Sequence, residues 1–294
     1  MIDKEYLQSL TVRWDPDLDS DSDIDLYDEM LQSLQPNSCL QELGVKGYGG
    51  MRFPSWVLDL SNLVWICLES CRRLKHIPPL DGIPYLEELG IVGLDDLEYI
   101  DSETCTVGGK EVSTFFPSLK RLVIEDCFRL KGWWKRWSRD EMNDDSDEST
   151  IEEGLRMLCF PRLSSLKIRR CPNLTSMPLF PTLDEGLHLW RTSSMPLQET
   201  MKMKSHVSSS SSSSSSFIRP LSKLKKLGIY FIDDMESLPE VGLQNLSSLG
   251  QLSESQGMIP YLPSLQFLRI DGCSEEVSGR TGGWGKESEE EWIL

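Results

Sequence analysis

Apolar residues recur along this chain in one unit, L-x-x-L-x-[LI]-x-x-C-x-x-L-x-x-[IMLW]-P. Clear copies run through Leu63, Ile66, Leu68, Cys71, Leu74, Ile77 and Pro78, and through Leu86, Leu89, Ile91, Leu94, Leu97 and Ile100. The next two use Leu119, Leu122, Ile124, Cys127, Leu130 and Trp133, then Leu163, Leu166, Ile168, Cys171, Leu174, Met177 and Pro178. A later copy reads Leu224, Leu227, Ile229, Ile232, Met235, Leu238 and Pro239. Partial copies stand at Leu7, Leu10 and Val12, at Leu40, Leu43 and Val45, at Leu183, Leu187 and Leu189, and at Leu265, Leu268, Ile270 and Cys273.

The two apolar residues closing L-x-x-L-x-L are separated by one position, so they point to the same side of a short strand and face a core. The later leucines fold the chain back across that core. One such coil cannot bury its own apolar face, so neighbours must stack and their strands must align in parallel. The copies beginning at Leu40, Leu63 and Leu86 are 23 residues apart, inside the range of about 20 to 29 that marks leucine-rich repeats. The expected fold is α/β, a leucine-rich-repeat solenoid over residues 1–273. It has a concave parallel β-sheet and an irregular convex side with short helices or turns. Proline after the last apolar position, as in Met177-Pro178, holds the return segment extended and forbids a long helix there.

Four segments break the period and read as insertion loops: about 15–36, 101–115, 138–157 and 191–219. The last holds the serine run 208–216, which has nothing apolar to bury and is expected to be disordered. Residues 274–294 are polar and glycine-rich, in keeping with a C-terminal tail or cap. At the other end Lys4-Glu5-Tyr6-Leu7 already lies inside a repeat without a capping unit, which suggests a fragment of a longer protein or a truncated product.

Composition adds a constraint on partners. Of 294 residues 39% are hydrophobic and 26% charged, enough for a continuous core, and the net charge is −17. That acidity opposes nucleic-acid binding, which relies on Lys and Arg displacing cations from phosphates. No apolar run reaches the roughly 18 to 20 residues of a membrane span, and Met1 to Leu10 lacks a signal-peptide pattern. The expected location is cytoplasmic, with the nucleus open as a second compartment.

Cys71, Cys127, Cys171 and Cys273 occupy one slot, the turn leaving the strand, where a small, weakly polar side chain fits. A metal pair at Cys67-x-x-x-Cys71 has no second pair to complete it. His76, His188 and His206 carry no nucleophile signature, and Asp95-Asp96 and Asp233-Asp234 fall in turns, where Asp supports backbone. No catalytic, cofactor or metal residues are assigned.

Binding is the remaining chemistry. The outward positions flanking each inner pair form columns in which Trp14, Lys46, Trp65, Arg121, Lys167, Arg169, Arg170, Lys226, Tyr230, Phe231 and Arg269 are candidate partner-binding residues. Aromatic and Arg side chains are the usual anchors of protein interfaces. Arg121, Lys167, Arg169, Arg170 and Lys226 form a basic stripe able to meet an acidic surface.

Several phrases resemble the leucine-rich-repeat region of plant nucleotide-binding disease-resistance proteins of the coiled-coil class. They are Tyr6-Leu7-Gln8-Ser9-Leu10-Thr11-Val12-Arg13-Trp14, the G-Y-x-G-x-x-F-P-S-W phrase from Gly47 to Trp56, Leu74-Lys75-His76-Ile77-Pro78-Pro79-Leu80, and Cys171-Pro172-Asn173-Leu174-Thr175-Ser176-Met177-Pro178. Gly283-Trp284 and Glu291-Trp292 are similar to the closing segment of such receptors. The resemblance implies a non-enzymatic repeat that senses pathogen molecules or restrains a nucleotide-binding switch. Its implied partners are a pathogen effector, a host guardee or a parent receptor's nucleotide-binding domain. The family's phosphate loop is missing: Gly108-Gly109-Lys110 lacks the first Gly and the following Ser or Thr. ATP or ADP would therefore belong to a domain outside this chain. The alternative reading is a generic intracellular repeat adaptor, such as a ubiquitin-ligase substrate-recognition module.

Overall fold

Nine short strands stack side by side, all parallel, in the computed structural model, which describes residues 6–14, 24–77, 80–101, 116–134, 160–202, 220–235 and 262–273. They are β1 (Ser9–Arg13), β2 (Glu42–Lys46), β3 (Trp65–Glu69), β4 (Glu88–Val92), β6 (Arg121–Glu125), β8 (Ser165–Arg169), β9 (Gly186–Trp190), β10 (Lys226–Tyr230) and β11 (Phe267–Asp271). They neighbour one another in chain order, and every repeat copy in the described residues contributes one strand. Two three-residue strands, β5 (Tyr99–Asp101) and β7 (Gly132–Trp134), pair on the return side.

The register is uniform. Leu10, Leu43, Ile66, Leu89, Leu122, Leu166, Leu187, Leu227 and Leu268 stand opposite one another across the whole sheet. Val12, Val45, Leu68, Ile91, Ile124, Ile168, Leu189, Ile229 and Ile270 form the second inward row. Period-two side chains put both rows on the core face. From β3 to β9 these residues are buried, whereas the pairs on β1 and β11 are only half-buried.

Each coil turns twice around its strand. Before it, Leu63, Leu86, Leu119, Leu183 and Leu224 donate backbone N–H to the carbonyl three residues back, and after it Leu74, Leu97, Leu130 and Leu174 do the same. The residue leaving β2, β3, β4, β6 and β8 takes left-handed backbone: φ is 69° at Gly47, 55° at Ser70, 66° at Gly93, 57° at Asp126 and 50° at Arg170. Its N–H then reaches the last carbonyl of the next strand, as from Asp126 to Arg169 (3.0 Å) and from Arg170 to Trp190 (2.7 Å).

The cysteine slot follows that turn. Cys71, Cys127 and Cys171 are fully buried and offer S–H to nearby carbonyls, Cys127 to Glu125 at 3.3 Å and Cys171 to Arg169 at 3.2 Å. Burial pushes the Cys71 thiol up to about 12. Cys67 faces the other way, against Gly90 on the outward face of the sheet, so the Cys67-x-x-x-Cys71 string does not converge.

Two expected loops contain helices. Within 15–36 lies α1 (Ile24–Ser33), and within 191–219 lies α2 (Met195–Lys202). In α1, Tyr27 and Leu31 are one turn apart and bury against the repeats, which gives the Asp-rich stretch a core-facing side that composition alone concealed. The Gly47–Trp56 phrase is its seat. Tyr48 stacks near Trp14 and Tyr27 at centroid distances of 5.2 and 6.5 Å, its hydroxyl donates to Asp28, and the Trp56 indole donates to the Leu31 carbonyl at 3.3 Å. Burial first, then Asp28, pushes the Tyr48 phenol far above its ordinary range, so it stays a neutral donor. Gly50 must be glycine here, because a Cβ would collide with both Asp28 and the Tyr48 hydroxyl.

Helix α2 is held from the next repeat. The Asp234 carboxylate accepts from the Ser194 N–H (2.9 Å) and the Ser193 hydroxyl (2.7 Å), while the Ser193 oxygen accepts from Met195 N–H at 3.2 Å. Replacing Asp234 with alanine should cost about 1–2 kcal/mol, since the carboxylate is exposed and partly replaced by water. Hydrogen exchange is the check: amides of 195–202 should lose protection while those of β8 keep theirs, and equal protection in both would remove the capping role.

The insertion segment 138–157, the serine run 208–216 and the tail 274–294 lie outside the described residues, as do Gly108-Gly109-Lys110 and His206. No helix among the described residues is long and apolar enough to cross a membrane.

Candidate functional site

On the outward face of the sheet, residues one, three and five of each strand form three columns. Across β8 to β11 the middle column is Lys167, His188, Gly228 and Arg269, and the last is Arg169, Trp190, Tyr230 and Asp271. Uniform register brings cations and rings from far-apart repeats into adjacent positions.

Those side chains touch. The Arg169 guanidinium lies over the Trp190 ring at 4.4 Å, and Arg269 lies over Tyr230 at 5.5 Å. His188 stacks obliquely on Tyr230 with centroids 4.9 Å apart, and Trp190 is 6.2 Å from Tyr230. Gly228 makes this possible: a Cβ there would stand 2.8 Å from the Tyr230 ring and 3.2 Å from His188, so the missing side chain lets the ring lie flat on the sheet. At the edge, Lys226 sits over Phe267 at 5.4 Å, and Phe231 lies 6.4 Å from Trp190.

Electrostatics follow from the crowding. Burial pushes the His188 imidazole down to about 4, and Lys167, Arg169 and Arg269 push in the same direction, so it is neutral at pH 7. Burial, then Arg169, lowers the Lys167 ammonium as well, against a smaller opposing pull from Glu125. Glu125 lies 3.4 Å from Arg169, and Asp271 lies 2.8 Å from Arg269. The Trp190 indole N–H and the Arg169 Nε are shut off from solvent and find no acceptor among the described residues. Donors in that state each cost about 1–3 kcal/mol.

Not every candidate belongs to this group. Trp14, Arg170 and Phe231 stand one residue beyond their strands, at the turn, and not on the strand face where alternation suggested them. Trp14 packs half-buried with Tyr27 and Tyr48 against α1. Arg170, swung aside by its left-handed backbone, grips Asp126 with two nitrogens and Glu125 at 3.0 Å. Arg121 pairs with Glu88, and Lys46 with Glu69. Trp65 lies against Gly44, far along the sheet from the cluster.

The basic stripe is interrupted by ion pairs within the chain. Cross-repeat pairs join Arg121 to Glu88, Arg170 to Asp126 and Arg169 to Glu125, while Lys167, Arg169, Lys226, Tyr230 and Arg269 share the outward face of β8 to β11 with the newcomers His188 and Trp190. Both newcomers were within reach of the repeat pattern, because Leu187 and Leu189 already mark β9 and its alternate positions.

Among the described residues no group of His, Cys, Asp and Glu has the arrangement of a metal site. Asp95 and Asp96, read as turn supports, make ion pairs to neighbouring repeats, with Arg72 at 3.7 Å and Arg129 at 2.9 Å.

Comparison with known proteins agrees with the repeat architecture. A family model described as R13L1/DRL21 LRRs matches residues 1–94. A disease resistance protein named RGA1 from Solanum bulbocastanum is 30% identical over 243 residues, covering 80% of this chain and 22% of that protein. The disease resistance protein RGA2 of the same species is 29% identical over 58% of this chain and 16% of its own length. A disease resistance RPP13-like protein 1 from Arabidopsis thaliana is 28% identical over 83% of this chain and 22% of its own. The chain thus spans less than a quarter of the curated relatives it matches. Among solved structures an internalin from Listeria monocytogenes is 13% identical, with a TM-score of 0.21 over 78% of this chain and 74% of that one.

Proposed function

The chain is a leucine-rich-repeat region of the plant disease-resistance kind, and from that premise we propose that it is a non-enzymatic recognition module that senses pathogen molecules, restrains a nucleotide-binding switch, or does both. The observation that carries the reading is the aromatic and basic group on β8 to β11, since a solvated strand face has no need to stack Arg on Trp and His on Tyr. Rigid rings with adjacent cations suit protein surfaces, where Trp, Tyr and Arg supply most of the binding energy. A stacked solenoid adds rigidity, because each strand is held by both neighbours. The cytoplasm, where disease-resistance switches of this kind act, is the compartment this reading calls for.

A trans-complementation assay tests it. The nucleotide-binding part of a disease-resistance relative, lacking its repeats, is expressed in leaves with and without this chain. Restraint predicts less cell death when the chain is present and co-purification of the two parts. A Lys167→Glu, Tyr230→Ala variant should lose both effects while keeping its circular dichroism. Retained restraint in that variant, with loss on changing the exposed Phe128 of the return side to Glu, would move the working surface off the strand face.

A further inference from the structure

We infer that the uncovered flank of α1 is a docking surface for an amphipathic helix with a basic polar face, carried by a separate protein. The surface lies on the insertion between β1 and β2 and is distinct from the aromatic and basic group on β8 to β11.

The apolar residues of α1 outnumber the places the repeats offer them. At about 100° per residue, Tyr27 and Leu31 fall on one face of the helix and are buried, while Leu26 and Met30 fall on the adjoining flank. Leu34 continues their line in the turn that follows. Those three are spaced one turn apart, yet Leu26 is 54% exposed, Met30 46% and Leu34 41%. Leu58, also 41% exposed, stands in the 3-10 turn Ser55–Asp59, two residues from the Trp56 indole that donates to the Leu31 carbonyl. Among the described residues nine large apolar side chains are exposed, and four of them therefore belong to α1 and the turns joined to it. Single exposed apolar residues are ordinary, whereas a row of them along one helix marks a contact surface.

Charge selects the occupant. Going round the helix beyond Leu26 and Met30, the next side chains are Ser33, then Glu29 and Asp25, all exposed. Between Arg13 and Lys46 the sequence holds no lysine or arginine, while Asp25, Asp28, Glu29 and Glu42 are acidic. A second copy of the chain would bring the same acids to the interface, and an anionic lipid surface would be repelled by them. A partner helix with apolar residues at every third or fourth position packs its ridge against the row, and lysines on its rim reach Asp25 and Glu29. Met30, unbranched and at the centre of the row, adapts to the side chains it meets.

Fluorescence anisotropy of the full chain tests this with three fluorescein-labelled peptides. One is a Leu-Lys sequence with leucines at helical spacing, one has the same composition scrambled so that the leucines scatter around the helix, and one carries glutamate in place of lysine in the first sequence. The ordered Leu-Lys peptide should bind at least about tenfold more tightly than either of the others. Amides of α1 should gain hydrogen-exchange protection on binding while those of β8 keep theirs. A Leu26→Gln, Met30→Gln variant, altered only at exposed side chains, should keep its circular dichroism and bind this peptide about tenfold more weakly. An Asp25→Lys, Glu29→Lys variant should shift the preference toward the Leu-Glu peptide, a gain that an unfolded chain cannot produce. Equal binding of the ordered and scrambled Leu-Lys peptides overturns the proposal, because the general acidity of the chain then accounts for the affinity. Unchanged binding by the Leu26→Gln, Met30→Gln variant overturns it too. So does sedimentation showing a dimer that this variant abolishes, which would make a second copy the occupant. The leaf assay reads the strand face through Lys167 and Tyr230, so failure of the docking chemistry and failure of the recognition reading are separable.

Discussion

Replacing Trp133 with alanine should lower the unfolding free energy by about 3–5 kcal/mol, the largest single-residue effect expected outside the nine-stranded sheet. Trp133 ends the repeat of β6 and is 2% exposed. Its ring meets Phe116 at 5.6 Å and Phe160 at 5.6 Å, both near edge-to-face, and those two rings stand 5.8 Å apart. The three come from the opening of one repeat, its closing and the opening of the next. A cavity the size of an indole, lined by two rigid rings, collapses poorly, so the transfer loss and the void add. The Trp133 backbone also donates to the Ser176 carbonyl at 3.0 Å, which ties the cluster to the β8 repeat. Urea denaturation followed by circular dichroism reads the effect. A loss below about 1 kcal/mol, within what exposed sites show, would mean the ring cluster contributes little.

The second large effect separates two leucines in the same repeat slot. Leu166→Ala should cost about 2–5 kcal/mol, while Leu10→Ala should cost about 1 kcal/mol. Both residues occupy the first inward row, but Leu166 on β8 is 1% exposed, whereas Leu10 on β1 is half-buried. In a stacked array each strand is covered by its two neighbours, and among the described residues β1 has one neighbour in the sheet and β8 two. Parallel denaturation of the two variants decides the matter, and equal losses would show that slot identity outweighs position in the stack.

Much of this was legible in the repeat. The pair Leu10 and Val12 was enough to place β1, and Leu187 with Leu189 to place β9, because alternation by two permits only one face to the core. The slot of Cys71, Cys127 and Cys171 was legible as a small buried position, and each thiol is found there against backbone carbonyls. The helices were less visible. Among the described side chains of α1, Tyr27 and Leu31 are the buried ones in a stretch crowded with aspartate, and their reason for burial is the Tyr48 and Trp56 platform further along the chain.

The binding candidates divide along the same line. Lys167, Arg169, Tyr230 and Arg269 were reached from alternation within single strands, and the sheet brings them together. Arg121 and Arg170 were reached by the same logic, yet their counter-ions lie 33 and 44 residues away in sequence. Trp190 and His188 gain their neighbours the same way, from β8 on one side and β10 on the other.

By itself, then, the sequence determined the coil, its strands, its core rows and the parallel direction, because a repeated apolar pattern that cannot bury itself has to stack on its own copies. The tertiary structure alone decided which outward cations are neutralised and which share rings, since lateral register sets those contacts and the insertions between repeats hide it from any local reading. It also decided how deeply each leucine is buried, because burial in a stack depends on having a neighbour on each side.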